Sequence, residues 1–167
     1  MPYRSSLLTA VLIVGVAAAP ALAQSTDGDE PEGRQLAGTL FESIDVDGDG
    51  SASYAEMLDF SEQVFVSADA NDDRLISYEE FAIWDFGMQN IAERQGREQA
   101  LTATFSLVYD LWDRDNDEQI GPDEWERGLV ASSDYADLDG DRMLTRDEFL
   151  DGFLTNIAFR SGLRTDR

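Results

Sequence analysis

The chain has 167 residues, and its 43% hydrophobic and 10% aromatic content predicts a folded domain with an apolar core. Its 35 Asp and Glu residues against 12 Arg and Lys give a net charge of −23, which disfavours binding to nucleic acid or to an anionic membrane surface. The absence of His and Cys excludes disulfides, thiolate or imidazole metal sites, and Ser-His-Asp or Cys-His catalysis. Any bound metal must therefore be held by oxygen ligands.

Residues 1–23 have the three parts of a secretory signal peptide. Arg4 lies in a short polar region, an apolar stretch runs from Leu7 to Ala19, and Ala21-Leu22-Ala23 forms an A-x-A cleavage site. A transmembrane anchor is the alternative, but the apolar run is interrupted by Pro20 and is shorter than the roughly 20 residues that span a bilayer. The sequence therefore predicts an exported protein, periplasmic or secreted, with no membrane segment in its mature form.

Cleavage is expected between Ala23 and Gln24, and the rest of the chain divides into three parts. Residues 24–34 are polar and acidic with Gly and Pro, so they predict a flexible linker. The folded domain is predicted over 35–160, and residues 161–167 are predicted to form a C-terminal tail.

Four acidic segments of the chain share one pattern of oxygen-bearing residues: loop 1 (45–56), loop 2 (69–80), loop 3 (113–124) and loop 4 (137–148). Asp stands at position 1, Asp or Asn at position 3, Asp at position 5 and Glu at position 12, and the position-7 carbonyl and the position-9 side chain add further oxygens. The candidate ligands are Asp45, Asp47, Asp49, Ser51 (carbonyl), Ser53 and Glu56; Asp69, Asn71, Asp73, Leu75 (carbonyl), Ser77 and Glu80; Asp113, Asp115, Asp117, Gln119 (carbonyl) and Glu124; and Asp137, Asp139, Asp141, Met143 (carbonyl), Thr145 and Glu148.

This pattern predicts Ca²⁺ as the bound cofactor. A hard cation that takes six to eight ligands at about 2.3–2.6 Å favours carboxylates and carbonyls in a loop that wraps around it. Acidic stretches can also be solvated turns. Four matches, each closed by Glu and followed by an apolar residue (Met57, Phe81, Trp125 or Phe149), disfavour that alternative.

The loops resemble those of the EF-hand calcium-binding family, over about residues 35–160, and look most like those of calmodulin-type and bacterial periplasmic or secreted members. The resemblance implies an all-α fold of helix-loop-helix units, with four calcium loops and short β contacts between paired loops. Loop 1 has the usual Gly, Gly50, at position 6, whereas Arg74, Glu118 and Arg142 stand there in the other loops. Loop 1 is expected to fill first and loops 2 and 4 to bind more weakly; loop 3, with Gly121 at position 9, needs a bridging water, and its rank stays open.

The spacing of the loops predicts an unusual pairing. The stretches 57–68 and 125–136 are each long enough for one helix, so loops 1 and 2 lie at opposite ends of one helix, as do loops 3 and 4. We therefore expect Ile76 to face Ile120 in a short antiparallel contact between loops 2 and 3, and loops 1 and 4 to meet at the other end. The alternative pairs loop 1 with loop 2 and loop 3 with loop 4.

The flanking sequence predicts the helices between the loops. Residues 81–112 are expected to form two helices broken near 94–97. Phe105, Val108, Tyr109 and Trp112 share the apolar face of the helix before loop 3. The aromatic residues Trp84, Phe86, Trp112 and Trp125 are interpreted as core, with a groove for a partner as the alternative.

We expect a non-enzymatic calcium buffer, or a calcium-stabilised structural or interaction protein. The alternatives are a calcium sensor or a dockerin-like calcium-dependent module that binds a partner protein, for which a basic or an apolar partner is compatible with the composition. Only Met57, Met88 and Met143 follow the signal segment, which disfavours a Met-rich sensor groove. Catalysis is disfavoured because every strong acidic cluster is assigned to a loop.

Overall fold

The computed structural model describes residues 31–164, which form eight helices and one two-stranded sheet. The elements are α1 (Glu32–Ile44), β1 (Ser51–Ser53), α2 (Tyr54–Ala68), α3 (Tyr78–Ile83), α4 (Met88–Gln95), α5 (Glu98–Trp112), α6 (Pro122–Ala136), β2 (Met143–Thr145), α7 (Arg146–Gly152) and α8 (Leu154–Gly162). The mostly helical architecture agrees with the predicted all-α class. The predicted signal peptide (1–23), its cleavage position, residues 24–30 of the linker and residues 165–167 of the tail lie outside the described residues.

The helical part extends beyond the predicted domain at both ends. Helix α1 begins at Glu32, inside the predicted linker, and the Pro31 carbonyl accepts from the backbone N–H groups of Arg34 (2.8 Å) and Gln35 (3.1 Å) in its first turn. At the other end, Leu163 is only 5% exposed, although it belongs to the predicted tail. These two ends touch, since a Cβ added at Gly33 would lie 3.2 Å from Leu163 Cδ1.

Helices α2 and α6 are each one continuous helix between two loops, as the spacing predicts. In α2 a capping box fixes the start: the Ser53 hydroxyl accepts from the Glu56 N–H, and the Glu56 carboxylate accepts from the Ser53 N–H. The helix has 15 residues, which is about 22 Å. Loops 1 and 2 are thus held at opposite ends of α2.

Three helices lie between loops 2 and 3, so the prediction of two helices is wrong. The break near Gly96 (φ 63°) is present, but a second one separates α3 from α4. There Phe86 (φ 53°) and Gly87 (φ 89°) both adopt left-handed conformations. The Asp85 carboxylate stabilises this turn and the start of α4, because it accepts from the N–H groups of Gly87 (3.0 Å) and Gln89 (2.7 Å).

The loops pair as the spacing predicts. Strand β1 of loop 1 runs antiparallel to β2 of loop 4, with Ala52 opposite Leu144. Ile76 and Ile120 form an antiparallel bridge between loops 2 and 3, with N–H to carbonyl distances of 3.0 and 2.9 Å. The alternative pairing, which required a contact between Ala52 and Ile76, is wrong.

The apolar core has two parts, each beneath one loop pair. The first, the loop 1/4 core, consists of Ala37, Phe41, Ile44, Ala52, Met57, Leu129, Ala136, Leu144, Phe149, Leu150 and Phe153. The second, the loop 2/3 core, consists of Val64, Ala68, Ile76, Phe81, Met88, Ile91, Ala92, Leu101, Phe105, Val108, Tyr109, Ile120, Trp125, Phe159 and Leu163.

Helices α2 and α6 contribute to both parts of the core. Helix α2 places Met57 in the loop 1/4 core and Val64 in the loop 2/3 core. Helix α6 likewise places Leu129 in the loop 1/4 core and Trp125 in the loop 2/3 core. Phe60 packs against both parts. The two ends of the protein are therefore joined through shared helices.

The four aromatic residues singled out from the sequence all lie at the loop 2/3 core. Trp125 is buried in it, and Trp84, Phe86 and Trp112 are partly buried against it, in agreement with their interpretation as core residues.

Among the described helices, none is long and apolar enough to cross a membrane.

Candidate metal sites

The first residue of each loop organises the turn that follows it. In loop 1 the Asp45 carboxylate accepts hydrogen bonds from the backbone N–H groups of Asp49 (3.1 Å) and Gly50 (3.0 Å). The equivalent bonds from positions 5 and 6 run to Asp69 from Asp73 (3.1 Å) and Arg74 (2.8 Å), and to Asp113 from Asp117 (3.2 Å) and Glu118 (3.0 Å). In loop 4, Asp137 accepts from Arg142 (3.0 Å) at position 6 and from Gly140 (2.8 Å) at position 4. The bond from the position-6 N–H to the Asp at position 1 thus recurs in four separate stretches of the chain.

Position 6 adopts the left-handed conformation in every loop, including the three that lack Gly. The φ angles are 93° at Gly50, 66° at Arg74, 68° at Glu118 and 64° at Arg142. A non-Gly residue in this region costs on the order of 1 kcal/mol. The hydrogen bond that the Asp at position 1 accepts from the position-6 N–H helps to offset that cost in each loop.

The Glu at position 12 connects the beginning of each loop to its end. One oxygen of Glu56 accepts from the Val46 N–H and the other from the Ser53 N–H, both at 2.9 Å. The corresponding bonds run to Glu80 from Ala70 (3.1 Å) and Ser77 (2.9 Å), to Glu124 from Arg114 (2.7 Å) and Gly121 (3.0 Å), and to Glu148 from Leu138 (3.1 Å) and Thr145 (2.9 Å). Each loop is therefore closed by one carboxylate.

The remaining candidate ligands lie around the same loops. The position-7 residues, whose carbonyls are candidate ligands, donate their N–H groups to the Asp at position 5: Ser51 to Asp49 (2.9 Å), Leu75 to Asp73 (2.8 Å), Gln119 to Asp117 (2.9 Å) and Met143 to Asp141 (2.8 Å). The position-9 hydroxyls donate to the Glu at position 12: Ser53 to Glu56 (2.8 Å), Ser77 to Glu80 (2.7 Å) and Thr145 to Glu148 (2.8 Å). Loop 3, with Gly121 at position 9, has no such hydroxyl.

Within the described part of the chain, three loops bring three carboxylates within 4.8 Å of one another. These groups are Asp45, Asp47 and Glu56; Asp113, Asp115 and Glu124; and Asp137, Asp139 and Asp141. Asp49, Asp117 and Glu148 lie outside these sets. Loop 2 forms no such group among the described residues, and its position 3 is the neutral Asn71, whose amide contacts Asp73 through both its nitrogen (3.0 Å) and its oxygen (2.9 Å).

Hydrogen bonds lower the pKa of the Glu at position 12 in each loop. For Glu56, Glu80 and Glu148 the main cause is the backbone N–H of the position-9 residue, followed by the hydroxyl of that residue. Burial acts to raise the pKa of Glu124, but backbone N–H groups of loop 3, first that of Gly121, outweigh it. All four carboxylates are therefore ionised at neutral pH.

Tyr109 supports the contact between loops 2 and 3, a role that the sequence did not reveal. Its hydroxyl lies 3.1 Å from the Ile76 carbonyl oxygen and 2.8 Å from that of Glu118. Burial, assisted by the charges of Asp113 and Asp117, raises the pKa of Tyr109 to about 12, so the hydroxyl remains a donor. The sequence placed Tyr109 only on an apolar helix face, because periodicity does not show that its hydroxyl reaches a carbonyl in the following loop 3 and another in loop 2, 33 residues away.

Tyr54 supports the other pair of loops in a different way. Its hydroxyl donates to the Asp134 carboxylate near the end of α6, and its backbone N–H donates to the Arg142 carbonyl in loop 4 (3.3 Å). Burial, followed by the hydrogen bond to Asp134, raises the pKa of Tyr54. The start of α2 is thus attached both to α6 and to loop 4.

The donor atoms in these loops fit a hard divalent cation. They are carboxylate, hydroxyl, amide and carbonyl oxygens, which are the ligand classes that Ca²⁺ and Mg²⁺ prefer. Nine of the ligand residues predicted from the sequence, three in each of loops 1, 3 and 4, form groups of carboxylates that could hold a cation. Comparisons of the chain with protein-family models, with characterised proteins and with solved structures give no match.

Proposed function

We propose that this protein binds calcium ions through four EF-hand loops. The observation that supports the proposal is the recurrence of one arrangement in four loops: the carboxylate at position 1 organises the turn, and the carboxylate at position 12 closes the loop. A chance cluster of acidic residues would not repeat these bonds at the same positions. We further propose, from the predicted signal peptide, that this binding occurs outside the cytoplasm, where weak sites can fill because calcium is abundant.

Electrostatic repulsion explains why a cation would stabilise the fold. In each of loops 1, 3 and 4, three carboxylates have oxygen atoms that lie within 4.8 Å of one another. Two like charges at such a distance repel by about 1 kcal/mol in water and by more when they are partly shielded from it. A bound divalent cation replaces this repulsion by attraction, and a ligand that binds only the folded state raises its stability.

The arrangement of the helices favours a buffer or a calcium-stabilised structural or interaction protein over a sensor. Helices α2 and α6 each belong to both parts of the core, so opening one loop pair would disturb the packing of the other. We infer a non-enzymatic role, because each group of three carboxylates in the described chain lies within a loop.

One observation favours a sensor or a dockerin-like interaction module as the second candidate. A mostly apolar cavity of about 110 Å³ lies between the two parts of the core, and Phe60, Trp84, Phe86 and Trp112 contribute to its wall. In a sensor, calcium would enlarge this cavity and expose it to a basic or apolar partner. Dye binding to exposed apolar surface should rise with calcium in that case, and stay unchanged in a buffer.

Calorimetric titration with Ca²⁺ and Mg²⁺ tests the main proposal. The double variant Asp45→Ala, Glu56→Ala should bind one calcium ion fewer than the wild-type chain, because it removes carboxylates from both ends of loop 1. The matched control is Asp59→Ala, Glu62→Ala, which removes the same charge from exposed positions of α2 outside the loops. An unchanged stoichiometry in the loop 1 variant would contradict the assignment of that site.

A further inference from the structure

Helices α2 and α6 are joined by a buried hydrogen bond. The indole N–H of Trp125 in α6 donates to the hydroxyl (2.8 Å) and to the carbonyl (3.2 Å) of Ser61 in α2. Ser61 is 7% exposed and Trp125 is 9% exposed. If either helix shifted, the indole N–H would become a buried donor without a partner, which costs about 1–3 kcal/mol. The bond therefore fixes the position of one helix relative to the other.

Both residues are close in the chain to candidate ligands. Trp125 directly follows Glu124, the carboxylate that closes loop 3, so a movement of Glu124 moves the start of α6 and the indole together. Ser61 lies in α2 between Glu56 of loop 1 and Asp69 of loop 2. The hydrogen bond thus connects Trp125, which follows the closing residue of loop 3, to α2, which lies between candidate ligands of loops 1 and 2.

Aromatic contacts hold Trp125 in this position. Its ring meets Phe65 of α2 edge-on at 5.6 Å and Trp112 of α5 at 5.0 Å, and it lies 6.5 Å from Phe81. Trp112 precedes the first residue of loop 3, and Phe81 follows the closing residue of loop 2. The indole is therefore packed against the flanks of both loops at its own end, as well as against α2.

We propose that Trp125 and Ser61 couple loop 3 to loop 1 at the opposite end of the protein, so that cation binding at loop 3 raises the affinity of loop 1. Binding at loop 3 fixes Glu124 and hence the indole, which holds α2 and the Glu56 carboxylate at its start. Loop 1 then loses less conformational freedom when it binds in turn. By linkage, loop 1 raises the affinity of loop 3 by the same factor. This inference rests on the proposed calcium function.

The test measures calcium binding at loop 1 while loop 3 is disabled. The readout is the NMR signal of the Gly50 amide, followed during calcium titration of the full chain. Glu124→Gln removes the closing charge of loop 3 and should weaken loop 1 by about fivefold, the low end of typical coupling between sites. In the Trp125→Phe background, which keeps an aromatic ring but removes the N–H that donates to both Ser61 acceptors, the same substitution should weaken loop 1 by less than about twofold, because the connection is already lost.

Ser132→Ala is the matched control. Ser132 is also a buried serine, but its hydroxyl contacts Thr155 of α8 (3.0 Å), so the fivefold effect of Glu124→Gln should persist in that background. Ser61→Ala removes the hydroxyl acceptor but leaves the carbonyl acceptor at 3.2 Å, so it should bring the effect of Glu124→Gln below fivefold, and it serves if Trp125→Phe folds poorly.

Three results would overturn the coupling. An equal effect of Glu124→Gln with and without the Trp125 N–H would show that coupling runs through other contacts. No effect of Glu124→Gln in the wild-type background, with calcium still bound at loop 1, would show independent sites and leave the calcium function intact. A Gly50 signal that does not respond to calcium in the wild-type chain would contradict the calcium assignment of loop 1, and the coupling with it.

Discussion

Individual residues of the loops carry backbone strain that substitution can measure. Arg142 at position 6 of loop 4 has φ 64°, a conformation that Gly adopts without cost. Arg142→Gly should therefore tighten calcium binding at loop 4 by about fivefold, equivalent to about 1 kcal/mol, and calorimetry with the wild-type chain as reference would show it. The removal of a positive charge beside the site acts in the same direction.

The reverse substitution in loop 1 separates strain from charge. A Cβ at Gly50 meets no atom within 4 Å, so Gly50→Ala changes only the backbone preference at φ 93°. It should weaken loop 1 by about fivefold without altering any charge. If Gly50→Ala has no effect while Arg142→Gly tightens loop 4, charge and not strain determines the ranking of the loops.

The lowered pKa of Glu56 predicts how acid destabilises the calcium-free protein. Hydrogen bonds from the Ser53 backbone N–H and hydroxyl lower this pKa below the usual value of 4.5. A group whose pKa is lower in the folded state stabilises that state fully above its unfolded pKa, and this contribution is lost as the pH falls through the folded pKa. The difference in unfolding free energy between the wild type and Glu56→Gln should thus be constant above about pH 5 and shrink below it.

Chemical denaturation in the presence of a chelator, at a series of pH values, measures that difference. Glu62→Gln is the control, since Glu62 is exposed on the same helix outside the loops. A Glu56→Gln variant whose stability stays parallel to that of the wild type down to pH 3 would contradict the prediction.

At the scale of the elements, α6 contains Gly128, whose effect on stability cannot be predicted from helix propensity alone. From sequence, Gly128 weakens the helix, and alanine there should gain about 1 kcal/mol. In the folded chain a Cβ at Gly128 would lie 2.6 Å from Trp112 Cε2, so the ring packs where a side chain would be. Gly128→Ala should therefore destabilise the protein by about 1–3 kcal/mol, measured by chemical denaturation.

Gly121→Ala provides the comparison for that measurement. Gly121 has an ordinary φ of −78°, and a Cβ there would meet Leu75 at a normal 3.8 Å. This substitution should be tolerated. Equal stability of the Gly128→Ala variant and the wild type would mean that Trp112 can move aside at little cost.

The helices show which structural features the sequence can and cannot predict. The single helices α2 and α6 follow from chain length, because the residues between the loops cannot form two helices and a turn. The break at Phe86 was missed because the only strong local signal is Gly87, while the bonds that stabilise the turn come from the Asp85 side chain. The spacing of the loops can thus be used to predict single helices from the sequence. A turn stabilised by a side chain outside a known motif cannot be predicted in this way.

At the scale of the whole molecule, loop pairing was predictable and the supporting contacts were not. The pairing follows from the short intervals between loops, and the contact of Ile76 with Ile120 is as predicted. The hydrogen bond of Trp125 to Ser61 and the placement of Tyr109 depend on the relative rotation of helices distant in sequence. Periodicity assigns such residues to the core but does not determine the partners of their polar atoms.

Each part of the core contains residues from both halves of the chain, so we expect that neither half can fold separately. A cut in the turn at Gly96 leaves loops 1 and 2 on one fragment and loops 3 and 4 on the other, so that each fragment loses every pairing partner. Each fragment should lack stable helix by circular dichroism, and an equimolar mixture should regain it. A fragment that folds alone in calcium would contradict this prediction.

The contact between the first and last helices gives the chain the connectivity of a closed ring. With Gly33 against Leu163, the end of the described chain lies beside its beginning. Around this ring, shared helices and paired strands alternate: loop 1 shares a helix with loop 2, loop 2 pairs with loop 3, loop 3 shares a helix with loop 4, and loop 4 pairs with loop 1. No loop is terminal in this cycle, so a circularly permuted chain that begins after Gly96 would meet the same neighbours in the same order.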